Sequence, residues 1–336
     1  MAAKLLSSLK YLLFLGVGLL ILYLVVKDQD LDQMLEDLRN AEYSYLLFSM
    51  LFGYAAYLFR GLRWLLLLKT MNYKTNANYA TQAVAVGYLA NTVFPRAGEI
   101  VRCTSLYKVT GIPVNKLFGT ILLERAIDLI LLVFCVALSF VLKYNELNAF
   151  IGSLTEGRGE GSYQTKIFVL LTFLLIFGAL YYFRGAWKKS KFYLKIVDLA
   201  RGVKEGFQTA FYMKEKGLFA LYTLLIWIMY LLMTFICFFS IPETAGLTLT
   251  DGLYIMVVGG LGMVVPVQGG LGPYHAAVTL GIVSIGLTEA TGITLAVLIH
   301  SAQSIMIIIT GIIAAIVLSF AKRKTSDHET AGASSV

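Results

Sequence analysis

Charge is scarce in this sequence. Only 14% of its 336 residues are Asp, Glu, Lys or Arg, about half the share of a soluble globular domain. The three cysteines, Cys103, Cys135 and Cys237, are too scattered for a disulfide framework or a metal-ligand run. The three histidines, His275, His300 and His328, lie too far apart for a local zinc motif, so neither metal nor cofactor is expected. No Ser/His/Asp pattern, nucleotide loop or soluble catalytic segment is visible. Proline is sparse as well, with five residues. Pro95 and Pro266 fall where apolar stretches are interrupted, and a break in a helix there carries meaning.

What is abundant is apolar surface: 58% of the residues are hydrophobic. That composition describes an all-α polytopic membrane protein. The formal charge of +8 calls for no nucleic-acid partner, because basic residues at cytoplasmic membrane faces account for it. Tyr11–Val26, Tyr43–Lys69, Leu117–Leu142, Ile167–Phe183, Leu218–Ile241 and Thr291–Phe320 read as six full spans. The first lacks a small-residue cleavage site and reads as a signal anchor. Residues 27–42, with two basic and six acidic side chains, carry Leu31, Leu35 and Leu38 at the spacing of a short surface helix.

Lysine and arginine set the expected orientation. Arg60, Arg63, Lys69 and Lys74 crowd one end of the second span. Residues 184–216 hold nine basic and three acidic residues, and Lys322-Arg323-Lys324 follows the last span. These ends are expected in the cytoplasm together with both termini. The 184–216 segment is expected to lie on anionic inner-leaflet lipids, and 323–336 to be a disordered tail. Parity then makes the interrupted stretches 76–116 and 252–285 hairpins, each returning to the side it entered, either re-entrant or as two tilted helices. The order span, span, hairpin, span in residues 1–150 recurs with opposite orientation in 151–322. The hairpin tips share Pro95-x-x-Gly98 and Pro266-x-x-Gly269. Such a layout is that of an inverted-repeat transporter, whose site lies at the midplane between broken helices.

Each candidate residue has a functional and a plain reading. A helix starting near Pro95 would carry Arg96, Glu99 and Arg102 along one stripe. Charges at membrane depth are costly and usually functional, although an ordinary cytoplasm-facing helix would also carry them. The second break, Pro266 through Gln268, Gly269, Gly270 and Gly272, would present bare N–H groups and a helix N-terminus to a phosphate or carboxylate. Close helix packing is the alternative. Glu124 and Asp128 share a face at i, i+4, with Arg125 able to pair with Asp128 or with the first hairpin. They form either a network or a ligand contact. Arg60 and Arg63 read by default as snorkelling side chains, with Arg63 also a candidate headgroup contact. His275 suits proton coupling or a structural hydrogen bond; His300 reads as structural. The candidate substrate-binding set is therefore Arg63, Arg96, Glu99, Arg102, Glu124, Arg125, Asp128, Gly269, Gly270, Gly272 and His275. Pro95, Gly98, Pro266 and Gln268 mark the breaks. Arg96→Ala is expected to abolish transport without unfolding the chain.

Taken in order, several segments resemble the lysylphosphatidylglycerol synthase transmembrane family. They are Leu62-Arg63-Trp64, Asn91 through Pro95-Arg96-Ala97-Gly98-Glu99 and Arg102, Glu124-Arg125-x-x-Asp128, and Pro266 through Gly269-Gly270-Leu271-Gly272. The resemblance covers about residues 5–322. Gln268 stands where the family usually has a second proline, and His275 where it has an acidic residue. The resemblance implies a flippase-type membrane region in a prokaryotic plasma membrane. Its partner would be an anionic or aminoacylated phospholipid or a lipid-linked molecule, and an oligomer is possible. The sequence ends sixteen residues after Phe320, so the soluble aminoacyl-transferring domain of full synthases is not expected, and transport is expected over enzymatic activity. A secondary transporter of a small soluble anion and a membrane-embedded lipid transferase are the alternatives.

Overall fold

The structure, a computed structural model, describes residues 2–153, apart from 28 and 30, and residues 213–321. The expected span Ile167–Phe183, nearly all of the basic 184–216 segment and the 322–336 tail lie outside the described residues. Every regular element within them is a helix. The first half holds α1 (Ala2–Val26), α2 (Leu31–Asn40), α3 (Tyr43–Thr70), α4 (Ala77–Val93), α5 (Gly98–Thr110), α6 (Val114–Leu142) and α7 (Tyr144–Ser153). After the gap come α8 (Lys216–Ile236), α9 (Leu249–Gly262), α10 (Pro273–Ser284) and α11 (Glu289–Phe320).

Length decides which helices cross a membrane. α3, α6, α11 and α8 with its short 3-10 extension to Ser240 are long and apolar enough, at 25 to 32 residues. At about 1.5 Å per residue they exceed the ~30 Å hydrocarbon core. α6 and α11 leave Leu129, Ile130, Val133, Ile308, Ile312 and Ile316 exposed among the described residues, the surface that a hydrocarbon solvent favours. The chain is an all-helical polytopic membrane protein. α1 begins nine residues before the expected Tyr11.

The two interrupted stretches form helical hairpins. α4 and α5 have 17 and 13 residues; α9 and α10 have 14 and 12. Such lengths reach about 18–26 Å, against the ~30 Å of the hydrocarbon core. Asn76 caps α4 by accepting the Asn78 N–H at 2.6 Å. Thr248 and Asp251 form a capping box on α9. Each hairpin lies in its own apolar core, one around Trp64, Cys103, Leu106 and Ile121, the other around Tyr254, Ile255, Val278 and Ile299. α11 reaches both, with Gly311 against Leu89 of α4 and Gly292 against Thr279 of α10. Small residues let backbones approach where lipid supplies no hydrophobic drive. At the C-terminal end of α6, Lys143 bridges Asp251 at 2.7 Å and Glu146 at 3.3 Å. Burial alone would lower its pKa, but the two carboxylates outweigh it and hold Lys143 above the ordinary lysine value.

The first hairpin differs from expectation. α5 starts at Gly98, not near Pro95, because the Asn91 side chain caps the Gly98 N–H at 2.7 Å. The chain reverses within Pro95–Ala97, and Arg96 adopts a left-handed φ of 63° to do so. Arg96 is therefore off the helix, and only Glu99 and Arg102 share the stripe.

The second tip is closed by its own backbone. Gly270 donates to the Val267 carbonyl, Leu271 to the Gln268 carbonyl, and Gly272 to His275 Nδ1 at 3.4 Å. Gly272 has φ +89°, and a Cβ there would run into the Gly18 carbonyl of α1. Gly269 has φ +59° but open space around it. Gly272→Ala should therefore cost about 1–3 kcal/mol through strain and displacement of α1 together. Gly269→Ala carries the strain alone and should cost about 1 kcal/mol. Melting temperatures in detergent check the order; equal shifts would mean that α1 does not dock on this tip.

Candidate functional site

α3 repeats its polar face at helical spacing, with Gly53, Tyr57, Arg60 and Trp64 stacked on one side and Arg63 beside them. Arg60 and Arg63 do not snorkel. They are only 3% and 0% exposed, because α6 places carboxylates opposite them. Asp128, near the middle of α6, takes Arg60 at 2.9 Å and Arg63 at 2.8 Å. One turn earlier, Glu124 takes Arg102 of α5 at 2.7 Å, with Arg63 Nε 3.7 Å away. The Arg102 guanidinium lies 3.9 Å from the Trp64 ring centroid, and the Trp64 N–H donates to Thr120 at 2.7 Å. Arg125 approaches Asp128 at 3.4 Å with its side chain 42% exposed.

A tyrosine relay continues the network. Arg60 Nε donates to Tyr230 of α8 at 2.7 Å; the Tyr230 and Tyr88 hydroxyls are 3.2 Å apart, and Tyr88 stacks on Tyr57. The charge balance is uneven: Arg60, Arg63, Arg102 and Arg125 face two buried carboxylates, with half-buried Glu99 at the edge. Arg63 Nε and Nη2 and Arg102 Nε and Nη2 have no hydrogen-bond acceptor among the described residues. A buried guanidinium rarely leaves donors idle; Glu124 Oε1, 3.7 Å from Arg63 Nε, is an acceptor likewise without a hydrogen bond among the described residues, so the arrangement is short of negative charge rather than fully paired.

A cavity of about 460 Å³ opens against this network. Tyr57, Arg60, Tyr88, Arg125, Asp128 and Tyr230 are its polar lining, and Trp227, Met233, Met256, Met263, Met306 and Leu132 its apolar lining. Tyr274 of α10 and Gln303 of α11 also border it. Methionine-rich walls adapt to irregular apolar ligands. The space thus offers both cationic, donor-rich groups and apolar surface to one ligand. A smaller hollow of about 40 Å³ between α4 and α5 is bordered by Glu99 and Arg102, and shares Tyr88 and Arg125 with the cavity.

The structure gathers Arg63, Arg102, Glu124, Arg125 and Asp128 into one network and sets Glu99 at its edge. It does not bring Arg96 there: that side chain is exposed at the hairpin tip. Gly269, Gly270, Gly272 and His275 lie off the cavity wall. The His275 and His300 rings are 4.7 Å apart, and His300 Nε2 meets the Gly269 carbonyl at 2.9 Å, tying the second tip to α11. Sequence reasoning passed over Tyr57, Tyr88, Trp227, Tyr230 and Gln303, and read Arg60 as snorkelling. The Tyr57, Arg60, Trp64 spacing was the available signal for α3; Tyr230 sits in an apolar run with none.

The comparisons with known proteins follow the same direction. A family model described as the lysylphosphatidylglycerol synthase TM region matches residues 9–311. No curated protein and no solved structure matches the chain.

Proposed function

The chain belongs to the lysylphosphatidylglycerol synthase TM-region family, and from that membership we propose an integral membrane translocase. It moves an anionic or aminoacylated phospholipid, or a lipid-linked molecule, between leaflets. The observation that carries this reading is the mixed lining of the cavity, where Arg60 and Arg125 outnumber Asp128 and four methionines supply apolar surface. An anionic headgroup would sit against Arg125, Arg60 and the Tyr230 hydroxyl, and acyl chains along Met233, Met256 and Met306. A soluble anion would have no use for the apolar lining, which favours the lipid over a small-anion transporter.

In this proposal residues 1–150 and 151–322 are inverted repeats, and their hairpins gate the site alternately. α11, packed on both hairpins, would couple them. The headgroup must bind the two states with different free energies, or it biases nothing. The same proposal has both termini in the cytoplasm of a prokaryotic cell and 184–216 on the anionic inner leaflet, a reading supported by the lysine and arginine counts of the sequence.

The test is transbilayer movement in proteoliposomes offered labelled anionic, zwitterionic and aminoacylated phospholipids, with a small-anion efflux control. Lipid movement that requires the protein, with preference among headgroups, is the expected result. Anion flux without lipid movement would replace this reading with a secondary transporter. Chemical conversion of the lipid without movement would replace it with a transferase.

A further inference from the structure

The hollow between α4 and α5 differs in kind from the large cavity. Gly87, Asn91, Gly98, Glu99, Arg102 and Arg125 border it. Gly98 and Glu99 open α5, a 13-residue helix whose first-turn N–H groups lack intrahelical acceptors and carry partial positive charge. Asn91 has committed its amide oxygen to the Gly98 N–H, which leaves its NH2 group as a further donor. Arg102 enters from the second turn of α5, 5% exposed. One of its nitrogens is held by Glu124, but Nε and Nη2 have no acceptor among the described residues.

Charge and size narrow what fits. Arg60, Arg63, Arg102 and Arg125 stand against Glu99, Glu124 and Asp128, one positive charge in excess. Of these only Arg102, Arg125 and Glu99 border the hollow, and the surplus favours an anion over a cation there. A water needs roughly 10–15 Å³ of cavity, so about 40 Å³ holds a monatomic anion and a water. It does not hold a phosphodiester with its two substituents.

We propose that this hollow is a halide site, binding one chloride through Arg102, the Asn91 amide and the N-terminus of α5, with Arg125 as its outer wall. The ion ties α4, α5 and α6 together at the base of the first hairpin. Glu99 opposes it: a carboxylate on the same lining repels an anion and holds the affinity down. Loss of the Glu99 charge should therefore strengthen binding.

Radiochloride dialysis on the full chain in an uncharged detergent tests this. Wild type should bind about one ion per chain, saturably, displaced by bromide and not by gluconate. Glu99→Gln should bind roughly tenfold more tightly. Arg102→Lys keeps a cation for Glu124 but removes the idle donors, and should weaken binding roughly tenfold. Should Arg102→Lys fail to fold, Val84→Leu fills the hollow from α4 and should weaken binding without altering any charge. No saturable binding by wild type, or equal affinity in Glu99→Gln, overturns the site. The assay involves no lipid, so failure of the translocase reading would leave this result standing.

Discussion

Asp128→Ala is expected to destabilise the helical bundle by roughly 3–5 kcal/mol, the loss that follows when one partner of a buried ion pair is removed. Asp128 meets Arg60 at 2.9 Å, Arg63 at 2.8 Å and Arg125 at 3.4 Å. Its loss would leave four guanidiniums against one buried carboxylate, Glu124. The attraction of a buried pair roughly offsets the cost of desolvating both partners, so an intact pair contributes little net stability. The unpaired charges that remain after deletion have no such offset. Lys69→Ala provides the contrast. Lys69 pairs with Glu215 at 2.7 Å, but with its side chain 69% exposed, and that loss should stay below about 1 kcal/mol. Melting temperatures in detergent should fall steeply for Asp128→Ala and hardly at all for Lys69→Ala. Equal small shifts would mean that water from the cavity solvates the arginines and that Asp128 is dispensable to the fold.

How much of this was legible in the sequence depends on the reach of each cause. The bounds of α3, α4 and α6 follow from long apolar runs, and the Asn76 cap and Phe94-Pro95 break act within a few residues. The shared face of Glu124 and Asp128 is likewise local, set by i, i+4 spacing. The start of α5 is not. It depends on Asn91 reaching seven residues forward to the Gly98 N–H, and the left-handed Arg96 follows from that reach. Arg60 and Arg63 looked like snorkelling side chains because their partner, Asp128, lies more than sixty residues away in sequence. The glycine-rich second tip looked open because nothing nearby in sequence announces the Gly18 backbone that packs on Gly272. Tyr230 gave no local sign at all. Its role comes from a fold that sets α8 against α3.

Arg125→Ala is expected to slow lipid movement about ten- to hundredfold with little change in melting temperature. A hydrogen bond to a charged group contributes about 1.5–3 kcal/mol, which sets that range. Arg125 differs from its neighbours in how loosely it is held. Arg60, Arg63 and Arg102 are buried and locked onto carboxylates at 2.7–2.9 Å, whereas Arg125 has its 3.4 Å approach to Asp128 and a side chain 42% exposed. Truncating it therefore costs little of the fold, yet it removes the cation best placed to exchange Asp128 for an incoming headgroup. Arg125→Lys should recover part of the rate, because a point charge still attracts the anion but lacks the planar fork that grips two oxygens. Arg96→Ala, which the sequence alone made the decisive change, should reduce the rate only a few-fold, since its exposed side chain at the hairpin tip lies off the cavity wall. Initial transport rates in proteoliposomes, with melting temperatures measured on the same preparations, separate these outcomes. Wild-type transport by Arg125→Ala would remove this arginine from the headgroup contact and return the weight to Arg60 and the tyrosine relay. Loss of transport in Arg96→Ala alone would place the decisive contact at the tip of the first hairpin, and the large cavity would then serve the acyl chains without the headgroup.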